Sequence, residues 1–142
     1  MKTQKRILVA LVACLLWMMT FLPWASADII FQPQAAEMIG TTNVIAKPQG
    51  GGRIDAAATI NCNYPVDTLG FSYIRLQELR SGTWTTVKSV ASKYSYNAST
   101  YSYTFTYYGT PGMQYRTQAG FYAHEGIDTE TCSETSNTIT CN

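Results

Sequence analysis

The sequence predicts an all-β chain, an antiparallel sandwich of six to seven short strands behind a cleaved export signal. Three observations carry that prediction. Residues 54–62, 71–80, 101–107 and 113–123 alternate apolar and polar side chains, the pattern of half-buried strands. No stretch after residue 27 repeats apolar residues at helical spacing. Tyr, Thr and Ser are abundant beyond that point, Leu is scarce, and only 13% of the chain is charged; that mixture favours strands.

Residues 1–27 read as a signal peptide. Lys2, Lys5 and Arg6 form a positive start, residues 7–21 are apolar, Pro23 breaks the run, and Ala25-Ser26-Ala27 offers small residues for cleavage. Cys14 continues into Leu15-Leu16-Trp17 rather than a polar tether, so it reads as part of the apolar run and not as a lipidation site. Pro23 and the cleavage triplet also argue against an uncleaved anchor. The expected mature chain begins at Asp28, is secreted, and has no further apolar span to hold it in a membrane.

Cleavage changes the charge balance. All nine acidic residues lie after residue 27, whereas three of the ten basic ones lie before it, so the mature chain carries −2. It has no basic run, which excludes the dense positive patch that nucleic acid or an anionic membrane calls for. The remaining 115 residues suffice for one domain with a single core.

The elements follow in order. Residues 28–41 show no period and are expected to form an irregular arm, leaving 42–142 as the sandwich domain. Residues 42–46 form a short first strand, ended by Lys47-Pro48-Gln49 and Gly50-Gly51-Gly52. Ile54, Ala56, Ala58, Ile60 and Cys62 then share one face, and Asn63-Tyr64-Pro65 closes that strand. In residues 71–80, Ile74 and Leu76 point inward and Arg75 and Gln77 outward. Ser81-Gly82 is a two-residue hairpin signal, so residues 84–90 pair back. Residues 93–99 read as a polar loop or weak edge. Tyr101, Tyr103, Phe105 and Tyr107 form the face of the next strand, and Gly109-Thr110-Pro111-Gly112 turns the chain. Met113, Tyr115, Thr117, Ala119 and Phe121 line one face of the strand after it. A loop over 124–131 precedes a last strand at 137–141. Short strands punctuated by turns point to an antiparallel sandwich.

The run Pro111-Gly112-Met113-Gln114-Tyr115-Arg116-Thr117-Gln118-Ala119 resembles the turn and sixth strand of fibronectin type III and related immunoglobulin-like modules, and Ser136-Asn137-Thr138-Ile139-Thr140 resembles their last strand. The resemblance implies that Tyr115 is a structural corner residue, its hydroxyl tied to nearby backbone. The chain departs from those modules in lacking a core Trp on the second strand, and Thr117 stands where antibody domains carry a cysteine. Tyr and Phe must therefore fill the core. Over a longer span the chain is similar to small exported Firmicute proteins of unknown function. The matching pieces are Ala58-Thr59-Ile60-Asn61-Cys62 after a Gly-rich loop, Leu76-Gln77 with Ser81-Gly82-Thr83-Trp84, and Gly112-Met113-Gln114-Tyr115-Arg116. That resemblance implies a secreted domain and transfers no catalytic residue.

Three cysteines remain after cleavage, and an odd number leaves one over. Nine extended residues would hold Cys132 and Cys141 roughly 30 Å apart, too far for a disulfide. In a sandwich, Cys62 and Cys132 share one pole, so a Cys62–Cys132 disulfide is expected, with Cys141 unpaired or available to a second chain. His124, Glu125, Asp128, Glu130 and Glu134 form the densest polar cluster. It lacks calcium-loop spacing and, with a single histidine, lacks a zinc ligand set, so it reads as a solvated acidic loop. No metal or cofactor is expected.

No nucleophile elbow accompanies His124 and no carboxylate pair stands out, so catalysis is not expected. The remaining signal is aromatic. Trp84, Tyr108 and Tyr122 are the candidate binding residues, flat faces edged by hydroxyls and amides of the kind binding surfaces use. The expected function is a secreted, non-catalytic interaction module for a glycan or a protein surface. The alternatives are a small hydrolase using His124, or a secreted antagonistic peptide.

Overall fold

One 28-residue strand organises the whole fold. The computed structural model describes residues 37–142, so the expected export signal, the expected cleavage point and residues 28–36 of the expected arm lie outside the described residues. The elements are β1 (Ile39–Gly50), β2 (Arg53–Arg80), β3 (Thr83–Val90), β4 (Lys93–Tyr108), β5 (Gln114–Glu125), β6 (Asp128–Thr135) and β7 (Ile139–Thr140), all antiparallel to their partners. The first half of β2 pairs with β1 and with the end of β4. Its second half pairs with β5 on one side and with the start of β4, then β3, on the other. β5 continues outward to β6 and β7. The result is a seven-stranded antiparallel sheet curled into a half-barrel whose two halves share β2 and β4.

The inward residues of both halves meet in one core. Ile54, Ile60, Leu69, Phe71, Ile74, Leu76 and Tyr115 have no exposed surface, and Ala56, Ala58, Ala119, Phe121 and Ala123 are equally enclosed. Phe71 lies 5.5 Å from Tyr101 and 5.7 Å from Phe121, centroid to centroid. Burying each such side chain stabilises the fold by about 1.5–3 kcal/mol. Alanines at 56, 58, 119 and 123 share this core with the rings.

Several boundaries differ from the sequence expectation. The strand does not end at Asn63-Tyr64-Pro65. β2 runs through it, and pairing with β4 jumps from Asn61↔Thr100 to Val66↔Ala98. A proline is tolerated where the ladder is interrupted, and the interruption bends the sheet. Of the two expectations for residues 93–99, a loop or a weak edge, the edge is what forms: their backbone pairs with residues 66–71 of β2 and with no other strand among the described residues. The expected loop over 124–131 is a tight hairpin, with Glu125 paired to Asp128 across Gly126-Ile127. β1 begins at Ile39, inside the expected arm, and runs on to Gly50. The Ser81-Gly82 turn is as expected, with positive φ at both residues, 48° and 81°.

Side chains on β6 close one seam of the half-barrel. A Glu130 Oε2 accepts from the amides of Met38 (2.7 Å) and Ile39 (3.1 Å), and Thr42 Oγ1 donates to Glu134 Oε2 at 2.8 Å. The expected acidic loop is thus partly a fastening device. The Cys62–Cys132 disulfide is not formed: Cys62, Cys132 and Cys141 are all free thiols. Carboxylate-to-amide bonds hold the seam at the pole where the disulfide was expected. Cys141 is not available to a second chain, being only 2% exposed with its thiol donating to the Gly52 carbonyl at 3.4 Å.

Candidate functional site

Alternation along a strand sends successive side chains to opposite faces, so the buried residues of β2 and β5 define which positions face out. Around the second half of β2, two cross-strand rows stand side by side on the outward face. One runs Tyr94, Gly70, Tyr122 and Thr131, and the next runs Tyr96, Thr68, His124 and Thr129. The rings of Tyr94 and Tyr122 meet edge to face at 5.5 Å across Gly70. Tyr122 also stacks on His124, centroids 6.3 Å apart, and His124 Nδ1 hydrogen-bonds Thr129 Oγ1 at 3.0 Å. Tyr96 is 68% exposed at the open end.

Glycine at position 70 is a spatial requirement. A Cβ there would strike the Lys93 carbonyl oxygen and come within 2.8 Å of the Tyr94 Cα. Gly120 does the same further along β5, where a Cβ would sit 2.5 Å from Ser72 Oγ and 2.6 Å from Tyr73 Cε1. The Tyr73 ring therefore lies over bare backbone.

The outward face continues toward β3 as a set of stacked pairs. The Arg75 guanidinium lies 4.2 Å from the Tyr73 ring centroid, and the Arg116 guanidinium 4.3 Å from that of Trp84. Arg116 Nε also donates to Gln77 Oε1 at 2.8 Å. The outward face of the other half is different in kind. There Thr59 bonds Ser102, Asn61 bonds Thr41 and Thr100, and Asp55 accepts from Thr106, Arg53 and Gln49. The Thr106 hydroxyl first, with the Arg53 and Gln49 side chains, holds the Asp55 carboxyl below its ordinary value. Its polar groups are spent on one another.

The three aromatic residues expected to bind do not come together. Tyr122 lies at the centre of the tyrosine rows, and Trp84 lies at the far end of the same face under Arg116. Tyr108 is 73% exposed but pairs with Arg53 on the other half. Tyr94, Tyr96, Tyr73, Arg75 and Arg116 stand on this face and are not among the three candidates the sequence offers. Tyr94 and Tyr96 lie in the segment that reads as a polar loop or weak edge, and their two-residue spacing is that of a strand face. His124 contacts Thr129 and Tyr122, and no group of three or more metal-binding side chains occurs among the described residues. Tyr115 is fully buried and its hydroxyl accepts from the Thr110 amide at 2.9 Å.

A separate cleft of about 180 Å³ lies between β1 and Ser136-Asn137, lined by Asn43, Val44, Ile45 and Ala46 and by no titratable side chain. Among the described residues no helix is long and apolar enough to cross a membrane.

No family model and no curated protein matches the chain. Two solved structures resemble it. Spo0M, a sporulation control protein from Bacillus subtilis, is 10% identical with a TM-score of 0.38, over 69% of this chain and 49% of that one. A protein from Archaeoglobus fulgidus is 12% identical with a TM-score of 0.40, over 73% of this chain and 98% of that one. The chain thus spans about half the length of Spo0M. At that level of likeness no residue of the outward face can be carried across.

Proposed function

We propose that this chain is an exported, non-catalytic module, an immunoglobulin-like sandwich that binds carbohydrate on the outward face of β4, β2 and β5. The observation that carries the reading is the pair of rows Tyr94–Gly70–Tyr122 and Tyr96–Thr68–His124. Together they make an aromatic patch, with Tyr122 stacked on His124 and Tyr94 set edge to face against it, edged by threonine hydroxyls. A sugar ring has an apolar C–H face and an equatorial rim of hydroxyls, which suits a tyrosine face beside hydroxyl and imidazole groups. Export is supported by the signal-like residues 1–27, and the immunoglobulin-like reading by the Tyr115 hydroxyl on the Thr110 amide.

A glycan array with the secreted form, followed by Tyr94→Ala and Tyr122→Ala on each hit, tests this. Loss of binding at least tenfold in both variants is expected, with melting unchanged within a few degrees. Glycan binding indifferent to both variants would remove the platform from the mechanism. Turnover of a glycan lost in His124→Ala would place the chain among hydrolases.

A further inference from the structure

The outward face sorts charge by sign. Around the second half of β2, Glu78, Glu130 and Glu134 pair in register with the buried Tyr115, Ala123 and Ala119, so they take the inward side. Glu125 and Asp128 pair with each other two residues beyond Ala123 and fall on that same side. Glu78 is held by Arg80, Glu130 by the β1 amides, Glu134 by Thr42 and Glu125 by the Asp67 amide. The outward positions of β2 and β5 carry Arg75 and Arg116 instead. Neither has a carboxylate partner among the described residues, where the ion pairs are Arg53–Asp55 and Arg80–Glu78. These five acids are turned away from the face on which the two guanidinium groups stand, and Asp55, on the outward face of the other half, is spent on Thr106, Arg53 and Gln49.

Those two groups are also held in place. A guanidinium held over an aromatic ring loses side-chain freedom before any ligand arrives and keeps N–H donors for it; Arg116 gives its Nε–H to Gln77 and retains its terminal N–H groups. Arg75 pairs with Gln118 and Arg116 with Gln77, which makes the arginines diagonal neighbours across β2 and β5, about 7–8 Å apart at the backbone. Beyond Arg75 the same face passes over Tyr73 and Gly120 to Tyr122 and Tyr94. From position 116 to 124 the strip runs roughly 27 Å along β5. It is a linear track with ring-stacking positions at one end and two fixed, unpaired cations at the other.

We infer that the ligand of this face is an acidic polysaccharide whose carboxylates pair with Arg75 and Arg116 while its neutral ring faces stack on Tyr94 and Tyr122. The inference rests on the carbohydrate reading of the same face and adds the charge of the ligand. A carboxylate matches the planar donor edge of a guanidinium with two parallel bonds. Two cations are too few for the phosphate contacts on which nucleic-acid affinity depends. The inference therefore commits to a sugar acid.

The test uses the whole secreted chain in calorimetric titrations against polygalacturonate, alginate and hyaluronate. Fully methyl-esterified polygalacturonate serves as the neutral probe with the same backbone, and oligo-dT as the competing polyanion. The expected result is binding to at least one acidic polymer, weakened tenfold or more by esterification where polygalacturonate binds, and weakened by raising salt from low to physiological strength. Arg75→Gln and Arg116→Gln should each lower that affinity by about tenfold at unchanged melting temperature. Lysine at either position should restore only part of it, because a lysine cannot offer the planar fork. Equal affinity for the acidic and esterified polymers, with Tyr122→Ala still abolishing both, would overturn the acidic ligand and leave the carbohydrate platform standing. Binding unaffected by Tyr94→Ala and Tyr122→Ala would overturn both. Tighter binding to oligo-dT, or binding to none of the three acidic polymers, would also overturn the inference.

Discussion

The Tyr115 hydroxyl donates to the Glu78 carboxylate at 2.6 Å inside the fold, joining two residues 37 positions apart on neighbouring strands. The same oxygen accepts from the Thr110 amide, and Arg80 Nε donates to the other Glu78 oxygen at 2.6 Å. One hydroxyl thereby ties the Gly109-Thr110 turn to the centre of the sheet. Burial, and then the bond to Glu78, push the Tyr115 phenol up from its ordinary value.

Replacing Tyr115 by Phe keeps the ring and leaves the Thr110 amide without its acceptor. The expected cost is about 1–3 kcal/mol, read as a lower urea midpoint at unchanged slope. A midpoint equal to wild type would mean that the hydroxyl contributes nothing to stability.

Glu78 makes stability depend on pH. The bond from Arg80, then the one from Tyr115, hold its carboxyl below the ordinary value of 4.5, and burial opposes them. A carboxyl depressed in the folded state contributes stability that is complete above its unfolded value and is lost as pH falls through the folded one. The stability gap between wild type and Glu78→Gln should therefore be constant near neutrality and shrink below pH 4.5. Chemical denaturation along the acid limb checks it. A gap that stays level there would show that Glu78 does not titrate with folding.

Gly70→Ala should destabilise the fold by about 1–3 kcal/mol, because the added methyl meets the Lys93 and Tyr94 backbone. It should also part Tyr94 from Tyr122. Melting and glycan affinity should fall together in this variant, whereas Tyr96→Ala should lower affinity alone. An intact melting curve for Gly70→Ala would mean that β2 and β4 are further apart than they stand here.

The Thr117 hydroxyl is fully enclosed, and among the described residues it has no hydrogen-bond partner. Valine has nearly its shape without the polar atom. Thr117→Val is expected to raise stability by about 1–2 kcal/mol. A loss of stability in calorimetry would reveal a bond at that oxygen.

The thiols should differ in reactivity. Burial, and then the Glu130 charge, push both Cys62 and Cys132 up from their ordinary value, with Glu134 adding to the effect at Cys132. Differential alkylation of the folded protein should label exposed Cys132 first, Cys62 more slowly and buried Cys141 last. Glu130→Gln should speed labelling of Cys132 by roughly twofold or more, since only the thiolate reacts. Labelling of Cys141 alongside Cys132 would mean that the C-terminal end opens readily.

Much of the fold was legible in the residues themselves. Ile54 to Ile60 and Tyr115 to Phe121 announce their buried faces by strict alternation, and Ser81-Gly82 announces its hairpin. The parts that were hidden depend on partners far away in sequence. Residues 93–99 look like a loop because their apolar content is low, and they become strand only because residues 66–71 lie beside them. Asn63-Tyr64-Pro65 reads as a stop, but a bend within a shared strand uses the same residues. The platform was missed for a related reason. The sequence groups Tyr122 with Trp84 and Tyr108, whereas the residues that meet it, Tyr94 and Tyr96, come from another strand and reach it only across Gly70 and Thr68. The sorting of charge between faces is invisible in a net charge of +1.

The bonds from Glu130 to Met38 and Ile39 join residues 92 and 91 positions apart. A chain delivered from its N-terminus presents β1 early, and the carboxylate that fastens it arrives almost last. β1 can pair with the first half of β2 beforehand, but the half-barrel stays unlatched until β6 has been delivered. Closure of so distant a contact is slow compared with helix formation. The order of synthesis therefore places closure of this seam near the end, with the carboxylate on β6 as the final fastener.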